Sequence, residues 1–147
     1  MIEAAARMYC RPQAEIENYI YKVEGKNVLE VRIPESPVKP VCALDEHNKA
    51  WAYVRIKDEN ILANPVHLRI WKQNRQKEAV VMAYTERERH LLDILEQQGP
   101  LTLNQCSRLA RIDRKQTSEL LADFIRFDLV EQDFKEHTFY FRLTGNE

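Results

Sequence analysis

Four cations fall within eight positions, Arg108, Arg111, Arg114 and Lys115, opposed only by Asp113. An arginine fork can hold guanine O6 and N7 together, and either cation type can meet a phosphate. Ser118 adds a hydroxyl able to bond a base edge or a phosphate. This is the chemistry of polyanion recognition, set in a negative stretch. Residues 85–147 carry 9 Lys and Arg against 12 Asp and Glu, whereas residues 1–84 carry 13 against 11. With a net charge of −1, the chain lacks the summed positive charge by which general nucleic-acid coating proteins displace counterions. Any nucleic acid must therefore be met by a local patch. The plain alternative is that these cations are the solvated ends of packed helices, where Arg111 also suits a helix C-terminus.

Other chemistries find no constellation. Cys10, Cys42 and Cys106 lie 32 and 64 residues apart, without the paired spacing of zinc sites, and read as buried or idle thiols. His47, His67, His90 and His137 are equally scattered, and no HExxH stretch occurs. Glycine occurs only at 25, 99 and 145, so no phosphate-cradling G-x-x-x-x-G-K-[ST] loop exists. Asp45–Glu46 and Asp58–Glu59 could in principle serve a metal-dependent nuclease, but both pairs read as turn residues whose charge is simply solvated. The expectation is a protein without catalytic residues, metal or cofactor.

The elements that position the cluster follow from periodicity. Of 147 residues, 44% are hydrophobic and 31% charged, enough for a real core in one domain or two small ones. Apolar runs such as residues 79–84 are far shorter than the roughly 20 residues of a membrane span. The start, MIEAAARMYC, lacks the order of a signal peptide, which places the chain in the cytoplasm. Residues 1–11 read as a short helix ending before Pro12. EIENYIYKVE and NVLEVRIPES flank Gly25 as one hairpin; VCAL and AWAYVRI flank Asp45 to Lys49 as a second. In NPVHLRIWKQNRQ, Asn64 caps and Pro65 opens a helix with Leu68 and Trp71 on one face, a strand being the rival reading. Tyr19, Tyr21, Tyr53, Arg55 and Arg69 could line a binding face, although packing within strands explains such aromatics more simply.

The second half is cleaner. EAVVMAY reads as a strand; Thr85 with Glu88 forms a capping box for a helix that stops at Gly99-Pro100. A helix capped by Thr102 or Asn104 turns Leu103, Cys106, Leu109 and Ala110 to one side. Asp113 then caps a third helix whose core face is Thr117, Leu120, Leu121, Phe124 and Ile125, continued by Leu129. LVEQDF and TFYFRLT close the chain as a hairpin. Strand, three helices and hairpin is the order of a winged helix, with a helix-turn-helix at its tightest link. On that plan Arg114, Lys115, Ser118, Glu119 and Ala122 face outward from the recognition helix. Arg108 and Arg111 meet the phosphate backbone, and Lys135 is the wing's cation. Asp133 and Glu136 flank Lys135, so the wing could carry a protein contact instead.

Residues 25–63 carry a family likeness. Val31, Ile33, Pro34 and Ser36 follow a V-x-V-P-x-S pattern; Lys39-Pro40, then Tyr53 and Arg55 in a strand, then Ala63 complete it. The stretch resembles the later part of the Schlafen AlbA-like putative DNA-binding domain of bacterial regulators, whose members often continue into a winged helix. The family's opening elements, an E-x-x-E-F-K-type strand and an A-N-T-x-G-G segment, have no counterpart here. Acidic residues linked to nuclease activity in some members lie there, so none is carried over. The resemblance implies a DNA-associated regulator with a partial domain whose open sheet edge favours pairing of two copies.

The expectation is thus an α+β chain. Residues 1–78 form a partial AlbA-like domain of two β-hairpins and flanking helices, and 79–147 a winged-helix domain. Its partners would be double-stranded DNA and a second copy, with no membrane. The alternative is an assembly subunit whose winged helix binds protein.

Overall fold

The computed structural model describes residues 1–76, 79 and 84–145. The fold is α+β, in two compact units, Met1–Leu62 and Ala63–Glu147.

The first unit opens with α1 (Ile2–Tyr9), an alanine-rich helix that yields to the short strand β1 (Cys10–Arg11) just before Pro12. β2 (Glu17–Val23) and β3 (Lys26–Arg32) form a ribbon paired from Glu17↔Arg32 to Val23↔Lys26. Its two-residue turn needs both central residues left-handed, and Glu24 (φ 47°) with Gly25 (φ 77°) supplies them. β4 (Cys42–Leu44), β5 (Ala50–Ile56) and β6 (Glu59–Leu62) join β1 in an antiparallel sheet of order β1-β4-β5-β6. The two expected hairpins are present. β6 was not expected, because its first residues, Glu59 and Asn60, are poor strand formers. Asp58 lies in the turn as read, whereas Glu59 already begins β6. Asp45 organises the β4–β5 turn: Oδ1 accepts from the His47 and Lys49 amides at 2.9 Å each, and Oδ2 from Trp51 Nε1 at 2.8 Å. These bonds hold the Asp45 carboxyl below its ordinary range, the Trp51 bond contributing most.

The second unit holds α2 (Pro65–Gln76), α3 (Glu86–Gln98), β7 (Leu101–Thr102), α4 (Leu103–Ala110), α5 (Arg114–Arg126), β8 (Val130–Lys135) and β9 (Thr138–Leu143). Asn64 Oδ1 accepts from the His67 amide at 2.9 Å, the cap read from NPVH. The helix turns Val66 and Gln73 inward; on the face shared by Leu68 and Trp71, Trp71 is half-buried and Leu68 44% exposed. α2 packs along α5, where Gln73 Nε2 donates to Asp123 Oδ1 at 2.7 Å. This packing puts α2 in the second unit, whereas a division after residue 78 had assigned it to the first.

The expected capping box of Thr85 with Glu88 forms, and a second box joins Thr102 with Gln105. The core joins Leu91, Leu95, Cys106, Leu121, Phe124 and Phe141, each at most 1% exposed. The sheet has order β7-β9-β8, with Leu101↔Phe141 and Val130↔Leu143 in register. β7 was missed because two residues carry no periodicity and are defined by their partner β9. The strand expected over 78–84 falls outside the described residues, Ala79 and Tyr84 apart. Among the described residues no helix is long and apolar enough to cross a membrane.

Candidate nucleic-acid interface

The cationic cluster lies at the link between α4 and α5. Arg111 ends α4 in the left-handed conformation (φ 57°, ψ 38°), and its amide donates back to Arg108 O and Ser107 O. That closing turn satisfies carbonyls the helix leaves unpaired. Ser107 locks it from below: its hydroxyl donates to Ile112 O at 2.6 Å, and the Ile112 amide returns to Ser107 O at 3.1 Å. Asp113 then caps α5, its Oδ1 accepting from the Lys115 and Gln116 amides at 2.9 and 3.0 Å. The link is rigid on both sides, and the four cations project from it.

Arg108, Arg111, Arg114 and Lys115 are all exposed. Arg114 is also oriented, because its Nε donates to Asn104 Oδ1 on α4 at 3.0 Å. That bond ties the guanidinium to α4. Ser118 and Ala122 do not share this surface. They are 6% and 0% exposed, and the Ser118 hydroxyl donates to Lys115 O at 2.7 Å within its own helix. The expectation that Ser118 faces a ligand is corrected: α5 is packed by α2 as well as by α4 and β8, so its buried stripe is wider than one seam. Glu119 is half-buried.

The C-terminal hairpin turns at Glu136 (φ 47°) and His137 (φ 59°), with Lys135 exposed beside them. Phe134 packs against Phe139 at 4.8 Å between ring centroids. The sequence reading overlooked Arg142. Its Nη2 lies 2.8 Å from Glu131 Oε1 and its Nε 2.9 Å from Asp133 Oδ2, so one arginine offsets two carboxylates of the neighbouring strand. Cross-strand placement could have exposed it: Glu131 pairs with Arg142 in register and Asp133 with Tyr140, two residues on.

Two titratable groups of this unit are withdrawn from solvent, Cys106 fully and His67 in part. Burial pushes the Cys106 thiol up to about 12, which leaves it protonated and inert. His67 sits between Trp71 and Phe139, at 5.7 and 5.1 Å between ring centroids, with Nε2 2.8 Å from the Gln132 amide nitrogen. Burial holds its imidazole below the ordinary value. Among the described residues no group of three His, Cys, Asp or Glu side chains is placed to hold a metal ion.

No family model, no curated protein and no solved structure matches this chain.

Proposed function

We propose that the chain is a DNA-binding transcriptional regulator whose second unit acts as a winged helix on double-stranded DNA. In this reading it is cytoplasmic and works as a homodimer, and the first unit is a partial Schlafen AlbA-like domain serving association or effector sensing. α5 is the recognition helix. Arg114 and Lys115 at its first turn address base edges in the major groove, Arg108 and Arg111 hold the flanking phosphates, and Lys135 meets the backbone from the wing. Ser118 takes no part.

The observation that supports this most is the single rigid turn from which four exposed cations project, one of them pre-oriented by Asn104. A protein-binding role would favour apolar surface there instead. The exposed large hydrophobics described in this unit, Leu68, Tyr84, Phe127 and Leu129, lie off α4 and off the cationic end of α5.

The test is an anisotropy titration of the full chain against pooled genomic fragments at two salt concentrations. Binding at low salt is expected, with each phosphate-contacting cation lost lowering the log–log salt slope by about 1. Changing Arg114 and Lys115 to alanine together should weaken a selected site by about 1–3 kcal/mol per lost base contact. Absence of binding at low salt, or an affinity indifferent to the double substitution, overturns the reading. As a dimer, the chain should protect two half-sites roughly 34 Å apart.

A further inference from the structure

The β2–β3 ribbon stands outside the β1-β4-β5-β6 sheet, and every residue of β2 is exposed. On one face lie Tyr19 (38% exposed), Tyr21 (44%), Val23 (52%) and Val28 (45%); on the other, Ile20 (73%) is paired with Leu29 (50%). A two-stranded ribbon with apolar residues open on both faces is marginal alone, and three or more strands are needed for independent stability. The rest of its unit offers little cover, since the only hydrophobic residues buried there are Ala6 and Ala52.

The outer edge of β3 says what completes it. In a two-residue hairpin the pair flanking the turn exchanges both hydrogen bonds, and the pattern alternates from there. Asn27, Leu29 and Val31 therefore direct their backbone N–H and C=O groups away from β2. An antiparallel partner must use those groups, which limits the registers available to a second β3. Centring a two-fold axis on Leu29 sets Lys26 against Arg32 of the other copy, and centring it on Glu30 opposes two glutamates. Centring it on Val28 sets Lys26 against Glu30, twice by symmetry, while Asn27 and Leu29 exchange backbone bonds. Within one chain Arg32 already reaches Glu30, Nε to Oε1 at 2.6 Å, and lies over the Tyr19 ring at 4.9 Å, so the charges stand at this edge.

We infer that two copies of this chain join edge to edge through β3, about an axis at Val28, to make one four-stranded sheet from two ribbons. The pairing rests on the homodimer part of the function proposed above and is independent of DNA. Sedimentation of the full chain is expected to give a dimer. Val28→Lys, which opposes two lysines on the axis, should give a monomer whose helical circular dichroism is unchanged. Lys26→Glu should weaken the dimer at least tenfold, and adding Glu30→Lys should recover most of that loss. In a chain with Cys10 and Cys42 changed to serine, Val28→Cys should crosslink on oxidation and Ile20→Cys, on the other strand, should not. A monomeric wild-type chain overturns both the homodimer and this pairing. A dimer that survives Val28→Lys, or that crosslinks through Ile20→Cys instead, overturns the pairing alone.

Discussion

Arg142 alters what the C-terminal hairpin offers to a polyanion. Glu131 and Asp133 would repel phosphate, but one guanidinium, 25% exposed, answers both. Arg142→Gln should release two negative charges beside Lys135 and weaken the proposed DNA binding several-fold, more at low salt than at high, in the anisotropy assay. The loss of stability should be small, about 0.5–1 kcal/mol, because pairs this close to water are screened. His67 supplies the pH dependence. Its imidazole is held below the ordinary value of about 6.5 that the unfolded chain retains. As pH falls below about 6.5, the unfolded chain gains a proton that folded His67 refuses, so stability present above that pH drains away toward the folded value. The slope is at most about 1.4 kcal/mol per pH unit. Melting the protein at pH 7.5 and 5.5 should show a larger drop for wild type than for His67→Gln; equal drops would remove His67 from the account.

Helix ends decide whether the cationic turn holds its shape. Asp113→Ala removes the acceptor of two amide bonds and should cost about 1 kcal/mol, visible as a lower denaturant midpoint at constant slope. Ser107→Ala should loosen the same turn and weaken the proposed DNA binding while leaving the α5 cap intact. Caps at Thr85 and Asp113 were legible in the sequence, and Thr102 as one of two candidates, because a cap is a contract among residues two or three apart. The helix after Asn64 was legible for the same reason. β6 and β7 were not, since each exists by virtue of a neighbouring strand distant in the chain or poorly hinted by composition. The inward turn of Ser118 was hidden too. Spacing marks one apolar seam, but a second buried stripe appears only once α2 lies along α5, and small residues are what such a stripe admits. The positions of Arg108, Arg111, Arg114 and Lys115 on the surface were correctly foreseen, because charge at a helix boundary has nowhere else to go.

The molecule's stability is unevenly divided. Among the described residues the second unit concentrates thirteen buried hydrophobic residues in one cluster, while the first buries two alanines and leaves its ribbon open. Denaturation should therefore proceed in two steps, the first unit yielding earlier. Trp51 lies in the first unit and Trp71 in the second, so Trp71→Phe should isolate an early fluorescence transition while helical circular dichroism persists. A single coincident transition would contradict this division. Phe124→Ala, which empties the centre of the second unit, should cost about 3–5 kcal/mol and move the later step only. The Gln73–Asp123 bond carries a practical lesson for anyone transplanting the second unit onto another protein. A cut at residue 79 would amputate α2, strand a carboxylate at the wound and lay bare the flank of α5 that Val66 and Gln73 had sealed; a graft must be taken from Ala63 onward to heal.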